Sequence, residues 1–391
     1  MESDTRGSKI SNLRSQIPYS LVPTPYSLSP CHVTIVRMII DDLYRYNSWA
    51  NRRIVSLCDD LPNPQLDEPR AMGFGSLRNT VFHILAAEEI WLERWTGVPW
   101  RPFPMEAAGL SIGEMARRLD RVATDRQSLI DRERPDRWQR VCEYKDSKGN
   151  TYRNPLDGLL LHVANHGTYH RAQALNYLKR LGRTVPGGID YIFYRLAKPQ
   201  VAQEQATADS MRQFGLEVAT GASPPLDWDA TLIRNYFTYG DWCNGWLLDL
   251  AAPLDAAALD RDFGIGPGTI RATLLHIADA ERWWLSNWTT GPTVFDKAPL
   301  TTPIADLRGQ WSQVIAGRNR FIDSLDDSSA KRVVTPLIGP MSVRVPVIES
   351  LVQLCGHGTH HRAQLINMLR QSDVTARASD YSIWLREVAA T

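Results

Sequence analysis

The sequence contains no apolar run long enough to cross a bilayer, which takes about 20 residues. Its opening, "MESDTRGSKISNLRSQIPYSLVPTPYSLSP", has Ser and Pro where a signal peptide needs an apolar core, so residues 1–37 read as a disordered tail. Cysteine is sparse. The five present (Cys31, Cys58, Cys142, Cys243 and Cys355) never stand at CxxC spacing, which points to reduced thiols in a cytoplasmic protein and excludes a disulfide framework. An excess of one charge is missing as well. With a net charge of +1 there is no general electrostatic footprint for nucleic acid or an anionic membrane. Gly-rich phosphate loops, GxSxG elbows and Glu-x-x-His pairs are absent, the last arguing against a di-iron carboxylate bundle.

What the sequence has is repetition. "HGTYHRAQ" begins at His166 and "HGTHHRAQ" at His357, identical in seven of eight letters. Upstream, Arg78, His83, Glu88, Trp91 and Trp95 map onto Arg271, His276, Glu281, Trp284 and Trp288. "YNSWAN" from Tyr46 likewise meets "YGDWCN" from Tyr239, and "DYIFY" from Asp190 meets "DYSIW" from Asp380. The 391-residue chain after its tail is therefore one module written twice. The boundaries fall at 38–199 and 227–391, with a polar linker at 200–226.

Each module carries four helical patterns. In the first they run from about Ile40 to Cys58, from an N-cap at Ser76 to Trp95, from a capping box at Ser111 and Glu114 to Arg132, and from near Pro155 to Leu181. A short hairpin is expected around Gly149 and Asn150. Strand signals are otherwise scarce, so the expected fold is all-α, two tandem four-helix bundles.

Six of the nine histidines form two equivalent sets: His83, His166 and His170, then His276, His357 and His361. Histidines four apart share one helix face, and a third from a neighbouring helix can close a three-imidazole metal site. Such a site leaves a fourth position open, the pattern of catalytic zinc, although nickel, copper and ferrous iron accept the same donors. A lone helix histidine is more often a hydrogen-bonded core residue, but recurrence of all three at one spacing favours the metal. His162 and His360 do not recur and are not expected as ligands, although His360 is placed to line a pocket. Position 167 is Gly, so the general base of an HExxH protease is missing. Glu88 and Glu281 lie about 500° of helical turn past the histidine, which favours helix capping or ion pairing over ligation. Arg171, Arg362, Gln173 and Gln364 read as bonding partners between helices, and the paired tryptophans as core. The mismatches Tyr169/His360, Asn47/Gly240 and Ser48/Asp241 would mark any divergence between the two sites.

With "TVFHILAAEEIWL", "HVANHGTYHRAQ" and "DYIFY", the chain resembles the DinB/YfiT-like family over Ile39–Arg195 and again over Thr231–Val388. That resemblance implies four-helix bundles, each with a three-histidine centre, hence up to two divalent ions (zinc, nickel or iron) per chain. It also implies thiol S-transfer or conjugation of a small-molecule substrate, with a low-molecular-weight thiol as cosubstrate. The alternatives are a metal-dependent hydrolase and a non-catalytic, stress-related metal-binding protein. Related bundles precede the catalytic domain of ergothioneine-type sulfoxide synthases, a domain this chain lacks. Because family members pair as homodimers, the two modules are expected to pack as a pseudo-dimer within one chain, with further homo-oligomers left open.

Overall fold

The computed structural model describes residues 38–107, 109–133, 138–199, 202–216, 225–339 and 341–388, so the expected tail at 1–37 lies outside the described residues. In chain order the first module runs α1 (Ile39–Cys58), α2 (Asn63–Leu66), α3 (Leu77–Thr96), α4 (Ile112–Arg132), β1 (Val141–Lys145), β2 (Thr151–Pro155), α5 (Leu156–Arg180) and α6 (Tyr191–Ala197). Next comes α7 (Gln205–Gln213). The second module repeats the order with α8 (Ala230–Ala251), α9 (Ala256–Leu259), α10 (Ile270–Thr289), α11 (Ile304–Asp323), α12 (Asp327–Ala330) and β3 (Val333–Val334). It closes with β4 (Leu337–Ile338), β5 (Met341–Ser342), β6 (Val345–Pro346), α13 (Val347–Arg370) and α14 (Tyr381–Glu387). The fold is two tandem helical bundles, α1-α3-α4-α5 and α8-α10-α11-α13.

Local chemistry sets the helix ends. Ser76 accepts from the Asn79 amide and Ser111 from the Glu114 amide, the capping bonds that an orphan first turn requires. Glu114 does not return the second half of a capping box; its carboxylate holds Arg117 and Arg121 instead. Gly97, at φ 77°, ends α3 in the left-handed region that only glycine enters cheaply. On α4 the buried residues Met115, Leu119, Val122, Arg126 and Leu129 follow the 3–4 spacing of a one-sided helix. The expected hairpin is β1 paired antiparallel with β2.

Helices α5 and α13 are buried on nearly all sides. One face of each completes its own bundle, and the opposite face packs on the other's long helix. Short helices reinforce the contact reciprocally: α6 lies on α13 and α14 on α5. Between the modules, α7 docks on the second one, with Thr207 donating to the Ser342 carbonyl and Gln203 bonded to Arg344.

The interface is two-fold in plan and unequal in chemistry. Gln353 accepts the Ile192 amide at 2.7 Å, opening α6, and His162 accepts the Ser382 amide through Nδ1 at 3.3 Å, opening α14. Position 162/353 is thus an acceptor for the other module's helix start, and this is why glutamine can stand in for histidine there. Elsewhere the halves differ. Arg195 lies buried between Asp42 and Glu349. At the corresponding place Leu385 packs about 3 Å from where a Cβ on Gly158 would sit. Asn165 binds Tyr236, Tyr239 and Thr359, whereas its counterpart is Gly356.

Candidate metal centre

The three histidines of each set converge as expected. His83 on α3 meets His166 and His170 on α5; His276 on α10 meets His357 and His361 on α13. One ring nitrogen from each lies within 4.8 Å of the others in its set. Bonds of about 2.0–2.1 Å to one tetrahedral ion would bring them to roughly 3.3 Å, a small ring adjustment away. In the first set His83 Nε2 and His166 Nε2 already stand 3.2 Å apart.

Burial suits these imidazoles to ligation, because only the neutral ring binds a metal. Burial lowers His166 to about 4, and burial with the neighbouring His166 charge lowers His170 to about 3. His83 falls far below its ordinary value through burial and its two partners. In the second set burial and the neighbouring His357 charge lower His276 to about 4, and burial drives His361 well down.

Hydrogen bonds select which nitrogen faces the ion. His170 Nδ1 lies 2.8 Å from Gln173 Oε1 and His361 Nδ1 lies 2.8 Å from Gln364 Oε1. The glutamine oxygen can only accept, so Nδ1 carries the proton and Nε2 is left as the ligand atom. The recurring glutamines therefore act within their own helix, three residues on, and not between helices as the sequence suggested. His357 Nδ1 has a different partner, Asp190 of the first module, at 3.3 Å. Burial alone would raise Asp190, but the bond to His357 and the charge of His360 hold it below the usual carboxylate range. His357 Nε2 is buried and makes no hydrogen bond, an orphan polar atom aimed at the other two rings. The donor set, the tautomers and this orphan atom all fit a divalent cation.

Such supporting bonds carry measurable affinity. Replacing Gln364 by Ala is expected to weaken ion retention in the second bundle about 10–100-fold, with the first bundle unchanged. Competition with a chromogenic chelator reads this directly, and equal retention in Gln364→Ala would show that the glutamine does not orient the ring.

A polar layer lies behind each centre and accounts for the remaining repeated residues. Glu88 pairs with Arg126 of α4 and receives the side-chain amides of Asn47 and Asn51 of α1, whose oxygens hold Arg171 of α5. In the second bundle Glu281 pairs with Arg318 at 2.6 Å, and Asp241 adds a second carboxylate to the same guanidinium. Glu88 and Glu281 are thus ion-pair partners, in line with their angular offset. Gly240 lies beside Arg362, whose guanidinium would be 3.4 Å from an added Cβ. Position 48/241 thus keeps its arginine, Ser48 accepting from Arg126 and Asp241 from Arg318, whereas the Asn47 side chain that holds Arg171 is lost at Gly240. Neither His162 nor His360 joins a cluster; His360 Nε2 lies 3.0 Å from the Gln364 amide. Trp91, Trp95, Trp284 and Trp288 are core residues. Asp190 was missed as a site residue, although its recurrence as Asp380 in "DYIFY" and "DYSIW" was a signal.

Comparisons with known proteins give the family. The profile described as the DinB family matches residues 34–206 and again 228–387. Protein DinB of Bacillus subtilis (strain 168) is 23% identical over 145 residues, covering 36% of this chain and 84% of that protein. No solved structure matches. No described helix is long and apolar enough to cross a membrane.

Proposed function

Since the chain belongs to the DinB family over both bundles, we propose that it is a divalent-metal-dependent enzyme acting on small molecules by thiol S-transfer or conjugation. The observation that carries the reading is the pair of three-imidazole clusters with Nδ1 of His170 and His361 tied back by Gln173 and Gln364. Three imidazole donors accept zinc, nickel or ferrous iron and leave a coordination position for a reactant. A divalent ion held there supplies Lewis acidity, which lowers the pKa of a thiol or water beside it toward neutrality.

The chain's own residues do the rest. Burial keeps His166, His170, His276 and His361 neutral, the glutamines fix the orientation of His170 and His361, and Asp190 that of His357. In the proposed reaction a low-molecular-weight thiol loses its proton to solvent. Its sulfur then bonds to an electrophilic carbon, and the leaving group departs with the bonding pair. Water in place of the thiol gives hydrolysis of the same class of electrophile. The four described cysteines, Cys58, Cys142, Cys243 and Cys355, are buried and free, which supports work in a reducing, cytoplasmic compartment.

The test is a thiol-plus-electrophile screen on metal-loaded full chain, with His166→Ala, His357→Ala and the double variant run alongside. Turnover above the uncatalysed rate should disappear in the double variant while its helix content is retained. A wild-type chain that loads metal, loses thermal stability when the triads are cut and turns over nothing would overturn the enzymatic reading. It would leave a metal-stabilised protein.

A further inference from the structure

A cleft of about 230 Å³ opens between α1 and α4 of the first bundle, and no histidine lines it. Val55 of α1 and Ala116, Leu119 and Ala123 of α4 wall it with apolar surface, and Glu88 of α3 brings a carboxylate. Glu88 is 4% exposed, accepts from Asn47 and Asn51 and pairs with Arg126. A carboxylate offers about four acceptor sites, so Glu88 can take one more donor.

In the second bundle an indole reaches the equivalent carboxylate. The ion pairs Glu88–Arg126 and Glu281–Arg318 align α4 with α11, so that Leu119 corresponds to Trp311. Trp311 is 2% exposed. Burial raises the Glu281 carboxyl, and both Arg318 and the nearby Trp311 N–H work against that rise. The N–H stops short of hydrogen-bond geometry, but the ring spans from α11 to Glu281. Both ends of that span, Leu119 and Glu88, are walls of the first bundle's cleft. Four further replacements run the same way. Val55, Ser56, Ala116 and Ala123 line the cleft where the second bundle has Leu248, Asp249, Arg308 and Ile315. Arg308 and Asp249 join as an ion pair at 2.6 Å. At the exposed rim the first bundle is the bulkier, with Arg52, Asp59 and Asp120 in place of Gly245, Ala252 and Ser312.

We propose that this cleft binds a small bicyclic aromatic molecule carrying an N–H, of which indole is the simplest, with Glu88 as its acceptor. The second bundle carries the like group as its own Trp311 side chain. Cavities of roughly 150 Å³ take up benzene, so 230 Å³ matches a ring system with a second, fused ring. The N–H adds a bond to a buried charged acceptor, which a plain hydrocarbon of the same shape cannot make. Glu88, Asp59 and Asp120 line the cleft against Arg52 alone, so an anionic ring is disfavoured. The site holds no metal ligand and stands or falls apart from the thiol reading above.

Calorimetric titration of the full chain with indole tests this, with helix content followed by circular dichroism. The expected result is saturable binding with a Kd of about 1 mM or lower. Leu119→Trp fills the cleft with the side chain the second bundle already carries and should weaken binding about ten-fold or more. Ala116→Arg with Ser56→Asp copies the Arg308–Asp249 pair, alters no buried residue and should weaken binding as much. Benzofuran, the same shape without the N–H, should bind about ten-fold more weakly than indole. The double variant His166→Ala, His357→Ala should bind indole as the wild type does. Absence of saturable binding, or binding that survives both cleft variants at retained helix content, would overturn the site. Benzofuran binding as tightly would overturn the role of Glu88. Indole binding lost with the histidines at retained helix content would move the ligand to a metal centre and overturn the proposal.

Discussion

Protein purified without an affinity tag is expected to carry about two divalent ions per chain by elemental analysis, one in His166→Ala, one in His357→Ala and none in the double variant. Two imidazoles from one helix turn do not replace three, and each cluster draws its third ring from a different helix, so the two losses should be independent. Loading should also persist in acid. An ordinary histidine begins to protonate near pH 6.5 and competes with the metal from there downward. Here His166 and His276 lie at about 4 and His170 at about 3, because burial penalises the charged ring. The direction is fixed: lowered values move proton competition to lower pH, so retention should stay level from neutrality to about pH 5 and fall below it. Metal lost in step with a pKa near 6.5 would mean the rings are far better solvated than this packing allows. Absence of stoichiometric metal even after reloading would remove the centre itself and leave a histidine-rich core.

Replacing Arg195 by Leu should cost roughly 3–5 kcal/mol, the range for removing one partner from a buried ion pair. Arg195 is 1% exposed and lies between Asp42, 0% exposed, and Glu349, 2% exposed. Without the guanidinium, two buried carboxylates from different bundles face each other, and the Tyr191 and Tyr194 hydroxyls that donate to Asp42 do not neutralise its charge. The other side of the interface shows how the same place is filled without charge: Leu385 sits on Gly158. Arg195→Leu combined with Glu349→Gly copies that arrangement and should recover part of the loss, giving a favourable coupling in a double-mutant cycle. Urea unfolding of the full chain measures all three variants. Strict additivity would show that Arg195 and Glu349 are not coupled across the bundles. The contact also bears on pairing. Two copies of the second module would set Leu385, in place of the Arg195 guanidinium, against Glu349, so the chemistry favours unlike modules facing each other.

The repeat, the helices and both histidine triads were legible in the sequence because each depends on short-range spacing. An i, i+4 pair shares a face of any α-helix, whatever surrounds it, and a duplicated module exposes which histidines recur. The ion-pair role of Glu88 and Glu281 was legible for the same reason, from the angle between them and the histidine. Less local features were not. Gln173 and Gln364 were misread as links between helices, since a glutamine three residues from a histidine can turn inward or outward depending on its rotamer. Both turn toward the histidine, with Gly266 packed directly on Gln364, and that is visible only in three dimensions. The exchange of His162 for Gln353 argued against ligation but gave no role; the two are acceptors for the same kind of helix start, which either side chain fills.

The sequence by itself therefore determined the all-α class, the duplication and which six histidines belong together, because helical periodicity and internal comparison need no knowledge of neighbours. Only the tertiary structure decided that Asp190 of one bundle meets His357 of the other, that Arg195 bridges two carboxylates and that Phe74 lies over His83. These depend on how two bundle surfaces and a loop come to rest against one another. A few ångströms separate contact from no contact there, and nothing in residue spacing carries that distance.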